Sequence, residues 1–208
     1  VKKVTIELVS DIICPWCYIA KARIERVIQM LEAEDISVEI RVTPFQLYPQ
    51  IPVGGAPKSD FAKVRKPGMG RSLRQEATEE DIKIDYSKIE RIPNSLEAHR
   101  LLWLVEDSDQ QFRLAKRLFK LYFEQGADLE EHELLIDEAS KLGVAASTLQ
   151  EFSETQKGQQ EVNDYINGLR ERFIRAVPTF ILNDLIEVQG IQPVEVLFKY
   201  LKRAALMD

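Results

Sequence analysis

Val4, Ile6 and Leu8 alternate with Thr5 and Glu7, the two-residue period of a half-buried strand. Beyond residue 14 the spacing changes: Ala20, Ile24, Val27, Ile28 and Leu31 recur at three to four, which predicts an amphipathic helix from about Pro15 to about Glu34. Period two returns at Val38, Ile40 and Val42 between Glu39 and Arg41, and Pro44 limits this second strand. Strand, helix and strand in such short order make a βαβ unit, for which parallel pairing and a right-handed crossover are the default.

The middle of the chain follows another pattern. Residues 49–70 gather Pro49, Pro52, Gly54, Gly55, Pro57, Pro67, Gly68 and Gly70, and read as a long, irregular, mobile connection. From residue 94 to about 175 the periodicity is helical. Asn94 with Glu97 resembles a capping box, residues 112–123 form a helix closed by Gly126, and residues 131–142 form another closed by Gly143. Further helical segments run through Leu149 and Tyr165 to Phe173, for roughly four to six helices in all. Phe119, Tyr122 and Phe123 stand at helical spacing and read as core. Strand character resumes in Thr179-Phe-Ile-Leu182 and Leu185-Ile-Glu-Val188, joined by Asn183-Asp184, a turn that tolerates positive φ. Gly190 ends that strand, and Pro193 opens a last helix with Val196, Leu197, Tyr200 and Leu201 on one face.

The order is thus β-α-β, helices, β-β-α. It predicts an α/β fold: a thioredoxin-like mixed sheet from residues 1–48 and 174–208, interrupted at 49–173 by a linker and an inserted all-helical domain.

Composition narrows the function. With 208 residues and 45% hydrophobic content the chain builds a core unaided. Its 28 basic and 34 acidic residues are mixed along the sequence, for a net charge of −6, so neither nucleic acid nor a membrane surface is an expected partner. No run reaches the roughly 18 apolar residues of a transmembrane helix. The sequence assigns no oligomeric state.

Both cysteines of the chain lie in Asp11-Ile-Ile-Cys-Pro-Trp-Cys-Tyr18, where the first strand gives way to the first helix. A C-x-x-C beside a βαβ pattern reads as a redox pair. Cys14 sits at the helix N-terminus, where free N–H groups and the positive end of the helix dipole favour a thiolate. Cys17, one turn inside, is the resolving thiol, and Pro15 suits the first helical position, which needs no N–H. Trp16 is an apolar contact beside the reactive sulfur. Asp11 either carries protons to Cys17 or finishes the strand. Two alternatives compete: a pair of small buried hydrophobes, or half a zinc site. Zinc would draw on His99 and His132, both far off in the helical insertion. No metal is therefore expected. With both sulfurs committed to one motif, no structural disulfide remains, which fits a reducing, cytoplasmic setting.

The residues resemble the DsbA-like branch of the thioredoxin superfamily, and within it the cytoplasmic FrnE-like thiol-disulfide oxidoreductases. The resemblance is carried by Ser10 to Tyr18, Pro44-Phe-Gln-Leu47, Asn94-Ser-Leu-Glu-Ala-His99, Phe123-Glu-Gln-Gly126 and Val177-Pro-Thr-Phe180. It implies disulfide exchange through a mixed disulfide on Cys14 that Cys17 resolves, with protein, peptide or small-molecule thiols and disulfides as partners. It implies a cis bond between Val177 and Pro178, with Val177, Pro178 and Thr179 as the docking platform for an extended substrate. Phe45 and Gln46 would line the cleft. His99 occupies a recurrent family position, either as a partner of the thiolate or as a satisfied histidine. No tightly bound cofactor is expected beyond the Cys14–Cys17 disulfide itself, with glutathione a candidate co-substrate.

A related branch, the kappa-type glutathione transferases and hydroxychromene-carboxylate isomerases, usually carries Ser where this chain has Cys14. A glutathione-dependent transferase or isomerase is accordingly the second expectation. A binding module that merely retains the fold is the third, since one scaffold hosts many chemistries.

Overall fold

The computed structural model describes residues 2–61 and 69–207. The alternation at the N-terminus forms strand β1, Lys2–Ser10, and the helical spacing forms α1, Pro15–Glu32. The helix stops two residues before the predicted end because the chain turns at Asp35, which takes φ of 58°. Strand β2, Ile36–Pro44, then pairs parallel to β1 along its whole length. The expected β-α-β order with parallel pairing is present.

The connection that follows is more ordered than its Pro and Gly content suggests. Ala56–Pro57 (β3) pairs antiparallel with Arg91–Ile92 (β4), Lys58–Phe61 form a short helix α2, and α3 begins at Met69 and runs to Glu79. Residues 62–68 of the expected linker lie outside the described residues. The insertion is therefore not purely helical: a two-residue ribbon ties residues 56–57 to 91–92 in its first part. Helix α3 docks on α1 through Arg23, which donates from Nε to Glu80 at 2.8 Å and pairs with Glu76.

Five helices occupy the region where helical periodicity was strongest: α4 (Leu96–Leu104), α5 (Ser108–Lys120), α6 (His132–Lys141), α7 (Ala146–Glu154) and α8 (Gln159–Glu171). A π-helical turn at Leu121–Gln125 prolongs α5 and ends at Gly126, whose φ of 73° supplies the left-handed stop. The expected capping box is absent. Ser95 is the N-cap of α4 and makes no side-chain cap; Asn94 Oδ1 instead accepts from the Leu96 N–H at 3.0 Å, and the Glu97 carboxylate pairs with Arg100.

The last third returns to the sheet. Strands β5 (Thr179–Leu182) and β6 (Ile186–Gln189) form a hairpin in which Asn183 and Asp184 both adopt positive φ, as their types allow. Leu185 belongs to the turn rather than the strand and stands exposed. The sheet order is β2-β1-β5-β6, with β5 antiparallel to β1. Helix α9, Val194–Ala204, packs beside α1 through Val194, Leu197, Leu201 and Ala204; Tyr200, expected on that face, points to solvent.

The two faces of β1 do different work. Val4, Ile6 and Leu8 enter one large core that continues through α1 and the insertion helices, including buried Phe119, Tyr122 and Phe123. Val9 joins Phe45, Leu169, Ile174 and Ile181 in a smaller cluster beneath α8. The two cysteines belong to the large core, while Leu47 and Val177 pack on the smaller cluster.

Candidate active site

The dithiol lies where β1 ends and α1 begins. Cys14 is the N-cap residue of α1, with extended backbone angles, and Pro15 fills the first helical position. The Cys14 carbonyl accepts from the N–H groups of Cys17 and Tyr18 at 3.1 and 3.2 Å, closing the first turn under the sulfur. Both cysteines are free thiols; Cys14 is 3% exposed and Cys17 fully buried. No first-turn N–H bonds the Cys14 sulfur directly, so the helix end acts on it through its dipole alone.

The Cys14 thiol instead faces the Val177 carbonyl, 4.0 Å from its Sγ. The Val177–Pro178 peptide is cis. The two halves of the sheet thus bring residues 14 and 177 together, although 163 positions separate them. Thr179, the next residue, is buried, with its hydroxyl donating to the Ala176 carbonyl at 2.8 Å. Trp16 is half-buried against the main core.

Burial pushes the Cys17 thiol well above its ordinary pKa, and the neighbouring Cys14 adds to the rise. Ser10 and the Asp11 backbone oppose it. The Ser10 hydroxyl is buried beside Cys17 without an oxygen or nitrogen partner. A sulfur held so firmly as a thiol waits for Cys14 to react first.

Asp11 anchors this arrangement. It is fully buried, and its carboxylate accepts from the Ile13 N–H at 3.3 Å and from the Leu47 N–H at 2.7 Å. His99 Nε2 lies 3.3 Å from the same Oδ1, with both side chains shielded from solvent. Strand β1 ends at Ser10, so Asp11 does more than finish it: it clamps the cysteine loop to the segment after β2 and to α4. His99 is also not remote, as the sequence suggested. The insertion folds back so that α4 brings it to Asp11, three residues from Cys14. His132 does stay away, paired with Glu97 at 2.9 Å and stacked near Phe152. Among the described residues no group of three or more His, Cys, Asp or Glu side chains is arranged to hold a metal.

Phe45 and Gln46 follow β2 and are buried; the Gln46 side-chain amide donates to Asn94 Oδ1 at 2.9 Å. Leu47 and Val177 both pack on the small cluster under α8. Tyr48, which the sequence did not single out, lies near enough to Cys14 and Asp11 for both to raise its pKa, after burial. Its only sequence signal was its place two residues after Gln46. The Leu47 N–H carried no signal at all, because a backbone donor is not visible in residue type.

A mixed β2-β1-β5-β6 sheet, a dithiol at the mouth of α1 and a prolyl segment facing it define a thioredoxin-fold protein with an inserted helical layer. The model of the DSBA-like thioredoxin domain matches residues 5–202, and the chain belongs to that family. Among solved structures, a probable DsbA oxidoreductase, SCO1869 of Streptomyces coelicolor, is similar at 24% identity and a TM-score of 0.78, covering 99% of this chain and 91% of that one. A 2-hydroxychromene-2-carboxylate isomerase is similar at 17% identity and 0.72, covering 98% and 95%. The cytosolic disulfide reductase DsbM of Pseudomonas aeruginosa, solved with GSH, is similar at 15% identity and 0.62, covering 97% and 96%. The chain therefore carries the fold shared by DsbA-like oxidoreductases and by an isomerase. No helix among the described residues is long and apolar enough to cross a membrane.

Proposed function

We propose that this chain is a thiol-disulfide oxidoreductase that exchanges disulfides with a peptide or small thiol in the cytoplasm. The observation that carries the reading is the Cys14 thiol, set at the helix mouth with Cys17 beneath it and the Val177 carbonyl 4.0 Å away. In the reductive direction the Cys14 thiolate attacks one substrate sulfur. A Cys14–substrate S–S bond forms as the substrate disulfide breaks, and one substrate thiolate leaves. Cys17 then attacks Cys14; the Cys14–Cys17 disulfide forms as the Cys14–substrate bond breaks, and the second substrate sulfur departs with the proton Cys17 gave up. Two electrons pass from the dithiol to the substrate. An external thiol then reduces the Cys14–Cys17 disulfide back to the dithiol; the oxidative direction reverses each step and ends in the dithiol, which an external disulfide reoxidises.

The residues around the pair support this division of labour. Cys14 borders the Val177 segment and Cys17 is fully buried, so an extended substrate that adds to that backbone meets Cys14 first. The raised Cys17 pKa holds that sulfur protonated until a mixed disulfide replaces the neighbouring thiol. Pro15 and Trp16 fix the turn between the sulfurs, and Asp11 with His99 positions the loop beneath them.

Reduction of an insulin-like disulfide substrate in the presence of dithiothreitol tests the reading. The Cys14→Ser variant is expected to lose turnover entirely. Glutathione binding or addition without disulfide turnover would instead favour the transferase or isomerase reading, and a Cys14→Ser variant that loses disulfide turnover with its biological activity unchanged would favour a binding module.

A further inference from the structure

Most arginines near the two helical layers are neutralised by carboxylates: Arg23 by Glu76 and Glu80, Arg100 by Glu97, Arg117 by Glu138 and Arg172 by Glu187. Arg170 and Arg175 are not; neither pairs with an acidic side chain among the described residues. Arg170 makes one long contact, Nη1 to Asn167 Oδ1 at 3.4 Å, and its guanidinium carbon lies 5.9 Å from the Phe45 ring centre. Arg175 lies 5.6 Å from the Phe173 ring centre. In a chain of net charge −6, two uncompensated cations side by side call for an anion.

Both line one open groove of about 440 Å³, together with Phe45, Gln46, Leu47 and Pro49. No carboxylate lines it; Glu171, between the arginines in sequence, is not part of the wall. Phe45, Leu47 and Pro49 make one side apolar, which weakens the solvent screening of a charge placed there. Leu47 links the groove to the dithiol's surroundings in two ways. The Leu47 N–H shares the Asp11 carboxylate with Ile13 in the cysteine loop, and Leu47 packs in the same cluster as Val177, whose carbonyl faces Cys14.

Resting on the exchange chemistry assigned above to Cys14, we propose that Arg170 and Arg175 form an anion subsite that takes a carboxylate of the thiol or disulfide substrate. Guanidinium groups suit this task because their planar fork matches a carboxylate and they stack on aromatic faces. The preferred substrate is an acidic one, a carboxylate-bearing small disulfide or a peptide with an acidic residue near its cystine. The chemical step is unchanged: a substrate S–S bond breaks as the Cys14–substrate bond forms, and one substrate thiolate leaves.

The test compares two aromatic disulfides on the reduced protein. 5,5′-Dithiobis(2-nitrobenzoate) carries a carboxylate on each half; 2,2′-dithiodipyridine carries none. Replacing both arginines (Arg170→Gln with Arg175→Gln) is expected to lower the rate constant for the carboxylate probe about tenfold and to leave the neutral probe within about twofold. Arg172→Gln, which removes a cation already paired with Glu187, is expected to leave the ratio of the two rates unchanged. Unchanged rates in the double variant, an equal fall for both probes, or the same selective fall in Arg172→Gln would each overturn the subsite. If the wild-type protein reacts with the neutral probe no faster than Cys14→Ser does, the exchange reading itself fails, and the subsite with it. A wild-type reaction at Cys14 whose probe ratio ignores the arginines removes the subsite alone.

Discussion

Replacing Asp11 by Asn changes one atom and asks whether the buried carboxylate holds the site together. The carboxylate accepts two backbone N–H groups, from Ile13 and Leu47, and contacts His99. An amide keeps a single acceptor oxygen. Whichever way it points, its NH2 faces one of those N–H donors, and that donor is left unsatisfied, fully buried at Ile13 or part-buried at Leu47. A hydrogen bond to a charged acceptor is worth about 1.5–3 kcal/mol, and a buried donor without a partner costs a similar amount. The expected loss is about 2 kcal/mol, which for a domain of this size lowers Tm by about 4–8 °C. Urea unfolding followed by far-ultraviolet circular dichroism, with calorimetry for Tm, measures both at pH 7. Because Leu47 borders the cleft and Ile13 the cysteine loop, Asp11→Asn is also expected to slow exchange at Cys14 while His99→Gln, which leaves both N–H bonds intact, destabilises less. An Asp11→Asn variant within about 0.5 kcal/mol of wild type would refute the clamp, since surface substitutions commonly fall in that range.

Two further substitutions probe the framework that holds the site. Lys21, in α1, is almost fully buried with its ammonium 3.8 Å from the Phe112 ring centre, and burial pushes its pKa down to about 8 although Glu25 opposes the shift. The unfolded chain therefore binds more protons than the native one between pH 8 and 10.5, so stability rises with pH across that window, by up to about 3 kcal/mol. Lys21→Met is expected to be more stable at pH 7 by about 1–3 kcal/mol, because Glu25 keeps Lys116 as a partner at 3.0 Å, and to flatten the pH dependence. Urea titrations at pH 7 and pH 10 check this; a less stable variant with the slope intact would contradict it. At Gly126, an added Cβ would lie 2.2 Å from the Lys88 carbonyl oxygen on a backbone with φ of 73°. Gly126→Ala is expected to cost about 2 kcal/mol or more, read as a lowered urea midpoint, and an unchanged midpoint would mean that the π-helical turn is not pinned there.

What the sequence showed clearly was local. The alternation of Val4, Ile6 and Leu8 and the spacing of Ile24, Val27 and Leu31 each belong to one element, and burial follows from one face of it. Asn183-Asp184 was legible for the same reason, because a two-residue turn states its own backbone requirement. The Cys14–Cys17 spacing was legible as chemistry, since its meaning depends only on the helix start beside it. Elements set by distant partners were not. Ala56–Pro57 becomes a strand only because Arg91–Ile92 lies beside it, and Asn94 gives up a capping role to bond Gln46 and Leu96. The same holds for the site. His99 reaches Asp11 across 88 residues, and the Arg170–Arg175 groove exists only once α8 lies over the segment after β2. Residue type gave the sulfurs; the surroundings that direct them came from tertiary contacts.

Everything proposed about function turns on Cys14 acting first and Cys17 second. Mass spectrometry of the Cys17→Ser variant after brief exposure to a disulfide-bonded peptide measures this directly, with the wild-type protein alongside. The account predicts a stable peptide adduct on the variant that maps to Cys14, while the wild type ends as the Cys14–Cys17 disulfide with the peptide released. A variant that forms no adduct, or a wild-type protein that keeps the peptide bound and never joins its own two sulfurs, would contradict it.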